Sequence, residues 1–156
     1  MTNEIILADT SVWIHFLRGS GVHFQERLVP LIIADRLATT PIIIMEILIG
    51  AKSEKEYDKL SKDLAALRCF DVSAKLWQRA SKLGYTLRRK GISVPLSDTL
   101  IAAVALENNA LLLHDDRHYE MIASITPLKH EYLKPENQII DKMEKQFGRD
   151  KSATHI

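Results

Sequence analysis

Short apolar runs recur along this chain, each separated from the next by a stretch of helical periodicity, and that alternation constrains the fold more than any other feature. Ile5 to Ala8 reads as a buried strand, Leu37 to Thr40 as a short one, and Ala110 to Leu113 as another. Strands and helices in succession favour an α/β architecture over an all-helical bundle, with a parallel sheet flanked by helices. At 156 residues the chain fits one compact domain, since domains commonly hold about 100–150 residues.

The helical stretches carry their own punctuation. Asp9-Thr10-Ser11 offers capping side chains for a helix through Val12 to Leu17 that ends near Gly19, with a loop from Gly19 to Phe24 and a helix over Leu28 to Ala34. Pro41 suits the first turn of a helix that carries Glu46 and ends around Gly50. Ser53 with Glu56 makes a capping box ahead of Tyr57, Leu60, Leu64 and Leu67 at helical spacing. A short strand is expected at Phe70 to Val72. Ser73 then opens a helix with Leu76, Ala80, Leu83 and Leu87 on one face, ended by Gly91. Ser97 reads as the N-cap of a helix that has Asp98 in its first turn and runs to Asn108 and Asn109. A helix over Arg117 to Ala123 and a last strand at Pro127 to Lys129 complete the pattern. Residues 1–133 thus form the expected domain. Residues 134–156 are a polar extension, partly helical or disordered, in which Ile139, Met143 and Phe147 fall at four-residue spacing.

The longest apolar runs, Leu28 to Ala34 and Leu100 to Leu106, fall far short of the ~18 residues a membrane span needs. The start lacks a basic segment followed by an apolar one, so a cytoplasmic protein is expected. Cys69, the single cysteine, has no partner for a disulfide or a metal-binding Cys pattern and reads as a small core residue.

Four acids stand in separate stretches, each beside an apolar segment: Asp9, Glu46, Asp98 and Asp116. Each has an ordinary explanation, as a helix cap, a first-turn charge or a turn residue, except Glu46, which lies on a helix apolar on nearly every side. Together they say more. The carboxyl ends of parallel strands form the crevice where α/β proteins bind ligands, and Asp9 and Asp116 fall just past such ends. Asp98 and Glu46 lie near helix starts, which return to the same edge. Carboxylates gathered there repel one another unless a cation is present. Hard oxygen donors favour Mg²⁺ or Mn²⁺ over zinc. Lys and Arg number 21 against 20 acids, so setting aside these four leaves a basic remainder, suited to a polyanion.

The segments Asp9-Thr10-Ser11, Met45-Glu46-Ile47, Ser97-Asp98-Thr99 and His114-Asp115-Asp116-Arg117-His118-Tyr119 resemble the acidic motifs of PIN-domain nucleases. Spacing and length are most similar to the VapC toxins of toxin–antitoxin pairs, over roughly Ile5 to Leu128. The resemblance implies a three-layer fold with a short parallel sheet between helices. It implies a Mg²⁺- or Mn²⁺-dependent endoribonuclease that hydrolyses RNA, of the transfer or ribosomal class, and a VapB-like antitoxin that blocks the site. It also implies a homodimer. Asp9, Asp98 and Asp116 would hold one or two ions, with Glu46 acting through water and Ser11 supporting a ligand carboxylate. Asp115 is the alternative to Asp116, and His118 stands where the family often has a further Asp. Lys52, Lys55, Arg88, Arg89 and Lys90 are candidates for the RNA backbone. Trp13 and Trp77 sit on helical apolar patterns that favour core or dimer packing over base stacking. Within the same family stand RNA-processing nucleases that are not toxins, and an inactive interaction module on the same fold is a further class. A haloacid-dehalogenase-type phosphatase also starts from an Asp after the first strand, but needs an acid where this chain has Ser11.

Overall fold

Leu7 and Leu112, at the centres of two of the expected strands, are fully buried, and the two strands lie side by side. The structure is a computed structural model that describes residues 3–19 and 21–135. Its elements are β1 (Ile6–Ala8), α1 (Thr10–Leu17), α2 (Val22–Ile33), β2 (Leu37–Thr39), α3 (Pro41–Ile49), α4 (Glu54–Ala65), β3 (Arg68–Cys69), α5 (Ala74–Arg89), α6 (Leu96–Glu107), β4 (Leu111–His114), α7 (Arg117–Ala123) and β5 (His130–Tyr132). The strands form one parallel sheet in the order β3-β2-β1-β4-β5.

The register places Ile6 beside both Leu37 and Leu111, and Ala8 beside Leu113, so β1 and β4 end within one residue of each other. That alignment positions everything described below. Helix α6 matters equally. Its residues from Asp98 to Ala105 are all buried, as in a helix apolar on every side that serves as core. A carboxylate in its first turn is therefore held away from solvent.

Several local expectations shift. Helix α2 begins at Val22, inside the expected loop, because Phe24, Leu28 and Leu31 form one buried stripe at helical spacing. Strand β3 ends one residue before Phe70, whose amide still donates to the Thr39 carbonyl at 2.8 Å. Strand β5 forms at His130–Tyr132 rather than at Pro127, with the Leu112 amide bonded to the Lys129 carbonyl at 2.9 Å and the Leu133 amide to His114 at 2.8 Å. Pro95, not Ser97, caps α6, its carbonyl accepting from the Thr99 amide at 3.1 Å. In the capping box, Ser53 Oγ accepts from the Glu56 amide, but Glu56 reaches back to the amide of Lys52 rather than to that of Ser53. Cys69 is exposed and not core, because β3 is an edge strand with both residues open to solvent. The polar extension lies outside the described residues from 136 onward. Among the described residues no helix is long and apolar enough to cross a membrane.

Candidate metal centre

Because β1 and β4 end within one residue of each other, the residues that follow them share one edge of the sheet. Asp9 follows β1 and caps α1, its Oδ2 accepting from the Ser11 amide at 3.1 Å and from Ser11 Oγ at 2.6 Å. Asp116 follows β4 and caps α7, its Oδ1 accepting from the His118 amide at 2.9 Å. Asp98 arrives from the first turn of α6. Asp9 and Asp98 are buried, and Asp116 is half-buried.

Two side chains of α7 tie the three acids together. The Tyr119 hydroxyl, fully buried, lies 2.6 Å from Asp9 Oδ1 and 3.3 Å from Asp98 Oδ1. A hydroxyl has one hydrogen to give, and the shorter contact takes it. His118 Nδ1 lies 2.7 Å from Asp116 Oδ1 and 3.1 Å from Asp98 Oδ2. Glu46 joins from α3, its Oε1 accepting from Thr10 Oγ1 at 3.0 Å. Asp9, Asp98 and Asp116 are thus joined through Tyr119 and His118, while Glu46 bonds to Thr10, the residue after Asp9.

The electrostatics show the strain of bringing them together. Burial first, then Asp116 and the charge of Asp9, push the Asp98 carboxyl up to about 7, with His118 opposing. Burial also pushes Glu46 up; the Thr10 hydroxyl opposes this and the Asp9 charge adds to it. For Asp116, burial is outweighed by the His118 amide, by Asp98 and by the His118 ring, so its carboxyl lies below the ordinary value. Tyr119 is raised well above the usual phenol range by burial and by the charges of Asp9 and Asp98, and so stays a donor.

Asp115 faces elsewhere. Its Oδ2 meets His15 Nε2 at 3.1 Å, and that ring stacks on Phe24 with centroids 5.0 Å apart. Its amide donates to Ser11 Oγ at 3.0 Å. Asp116, not Asp115, shares the cluster with Asp98. Ser11 joins the two turns by donating to Asp9 and accepting from Asp115. Behind them, the fully buried His114 accepts the Asp116 amide at Nδ1, 3.1 Å away. Its proton is thus on Nε2, which donates to His130 Nδ1 at 2.9 Å. Burial, then His130, push His114 down to about 4.

Sequence reasoning missed Tyr119, Thr10 and the His114–His130 pair. Tyr119 carried a signal, an aromatic three residues after an acid that caps its own helix. Thr10 and His130 carried none. The proposed RNA contacts Lys52, Lys55, Arg88, Arg89 and Lys90 are all exposed. Trp13 is core, whereas Trp77 is 53% exposed.

The donor set fits a divalent cation. Asp98 Oδ2 is cut off from solvent and has no partner with hydrogen-bond geometry, with His118 Nδ1 lying 3.1 Å away. Ligand atoms of Asp98, Asp116 and His118 all lie within 4.8 Å of one another. Tyr119→Phe should leave the buried ring in place while stripping Asp9 Oδ1 of its donor. We expect ion affinity to weaken about 10–100-fold, read by calorimetric titration with Mn²⁺; unchanged affinity would remove Tyr119 from the site.

Residues 6–124 match the PIN domain family. A VapC ribonuclease of Mycobacterium bovis, Mb1587, is 33% identical over 129 residues, covering 80% of this chain and 96% of the relative. Ribonuclease VapC18 of Mycobacterium tuberculosis is 30% identical, covering 84% of this chain and 96% of its own length. Among solved structures, VapBC2 from Rickettsia felis bound to promoter DNA superposes with a TM-score of 0.71 at 25% identity, covering 83% of this chain and 99% of that one.

Proposed function

The chain belongs to the PIN-domain family, and within it to the VapC ribonucleases, and from that premise we propose that it is the toxin of a toxin–antitoxin pair, a metal-dependent endoribonuclease. The observation that carries this reading is the meeting of Asp9, Asp98 and Asp116 at one sheet edge, with the buried Asp98 Oδ2 left without a hydrogen-bond partner.

Asp9, Asp98 and Asp116 would hold the ion, Mg²⁺ or Mn²⁺. When bound, the ion supplies a Lewis acid for the phosphodiester and lowers the pKa of an attacking water. The chain's own residues do the rest. Glu46, its carboxyl raised by burial and held by Thr10, the residue after Asp9, would accept a proton from the attacking water. Ser11 and Tyr119 fix the two oxygens of Asp9 in place, and His114 fixes the turn that carries Asp116. Lys52, Arg88, Arg89 and Lys90 contact the RNA backbone, giving affinity without reading sequence. The substrate is a transfer or ribosomal RNA.

Two apolar surfaces suit the protein partners. On α5 and α6, Trp77, Tyr85 and Leu96 are 53%, 59% and 86% exposed around a cavity of about 740 Å³, and a second copy of the chain covers this face. Met45, Ile49 and Tyr57 line a separate groove on α3 and α4, the helix α3 also carrying Glu46, and a VapB-like antitoxin seats there.

Purified, antitoxin-free protein incubated with total RNA in Mg²⁺ or Mn²⁺ should release discrete fragments that EDTA suppresses. A folded protein that binds the ion and cuts no RNA would overturn the assignment as a nuclease.

A further inference from the structure

One nitrogen lies among the oxygen donors. His118 Nδ1 is 2.7 Å from Asp116 Oδ1 and 3.1 Å from Asp98 Oδ2. These are salt-bridge distances, yet neither His118 Nδ1 nor Asp98 Oδ2 has a partner with hydrogen-bond geometry, and both atoms are cut off from solvent. Asp98 as a whole residue is only 8% exposed. Side chains that served only to neutralise each other would align the N–H with an oxygen. Here the atoms lie close together but off that line, as donors do when they face a shared point.

The spacing itself matches coordination. A small octahedral cation holds its ligands at about 2.1 Å, which puts neighbouring donors about 3 Å apart. The two nitrogen–oxygen separations fall on either side of that value. The backbone fixes this geometry: the His118 amide donates to the same Asp116 oxygen at 2.9 Å, so the first turn of α7 sets the imidazole against the carboxylate two residues before it.

We propose that His118 is a direct ligand of the ion through Nδ1, making a mixed nitrogen–oxygen site that takes Mn²⁺ in preference to Mg²⁺. The proposal rests on the reading of Asp98 and Asp116 as ion ligands. Mg²⁺ is best served by oxygen and keeps its waters, whereas first-row ions gain from an imidazole nitrogen. The substitution therefore alters which ion fills the site without removing the site.

The test is pulsed electron paramagnetic resonance on the full chain loaded with Mn²⁺ alone. Direct ligation gives a ¹⁴N coupling to the manganese electron spin. That coupling should vanish in His118→Asp and His118→Gln, with thermal melting used to confirm that each variant is folded. Calorimetry should show Mn²⁺ affinity falling about tenfold in His118→Gln while Mg²⁺ affinity changes far less. Bound Mn²⁺ with no ¹⁴N coupling in the unaltered chain, or a coupling that survives both substitutions, would overturn the ligand and leave the carboxylate site standing. Failure of Mn²⁺ to bind at all would overturn the carboxylate site as well.

Discussion

Asp98→Asn should reduce RNA cleavage about a thousandfold or more and, at the same time, make the metal-free protein harder to melt. The two effects have one origin. Asp98 is buried in the first turn of a core helix, near Asp116 and Asp9, and its carboxyl is pushed up to about 7. At pH 8 it is forced to ionise where neither solvent nor a hydrogen bond meets its Oδ2. Asparagine keeps the shape and removes the charge, so the metal-free variant loses the repulsion and its melting temperature rises by several degrees. It also loses the charge that holds the ion. Adding Mn²⁺ should therefore raise the melting temperature of the unaltered protein strongly and that of the variant hardly at all. If the variant melted lower than the parent without metal and still cut RNA, Asp98 would be a structural cap and nothing more.

The second large effect is one of pH, and it is concealed until the groups are separated. His114 is pushed down to about 4 from 6.5, so the folded state binds fewer protons than the unfolded state between those values. Its contribution is present above 6.5 and lost as pH falls through about 4, on the order of 3 kcal/mol in all. Asp98 has the opposite sign. Its carboxyl is raised from 3.8 to about 7, so its contribution is present below 3.8 and lost as pH rises through about 7, on the order of 4 kcal/mol. Over the shared window the two slopes oppose, and the metal-free protein should show a shallow pH dependence. In an Asp98→Asn, Glu46→Gln double variant both raised carboxyls are gone, the His114 slope is unopposed, and denaturant midpoints should climb with pH between about 4 and 6.5. A variant that stayed flat across this range would mean that His114 is not held neutral by its surroundings.

The sequence made the parallel architecture and the acid set legible for the same reason: both depend on local pattern. Apolar runs too short for helices can only be strands, and a carboxylate directly after such a run is aimed at the edge where strands end. Asp9 and the pair Asp115 and Asp116 could be placed from that alone, whereas Asp98 and Glu46 were read from their positions near helix starts. What could not be read was pairing across the fold. Whether Asp115 or Asp116 entered the cluster depended on which way each side chain turned, and that was set by His15 and Ser11 on one side and His118 on the other. Cys69 looked like core because its type usually is, and its exposure follows from β3 lying at the sheet edge, a fact of strand order and not of composition. At the start of α6 the sequence offered only Ser97 as a cap, because Pro95 has no capping side chain and serves through its backbone carbonyl.

The bond from Tyr119 to Asp9 spans 110 positions of the chain, and β1, first to be made, lies between β2 and β4 at the middle of the sheet. During synthesis the chain emerges from its N-terminus at about 5–20 residues per second, so β1 waits with one edge bare until β4 and α7 have left the ribosome. Until then Asp9 lacks the Tyr119 hydroxyl, and Asp98 lacks Asp116 and His118. A stalled or truncated product that stops short of α7 therefore lacks Asp116, His118 and Tyr119, and with them the arrangement that would hold the ion.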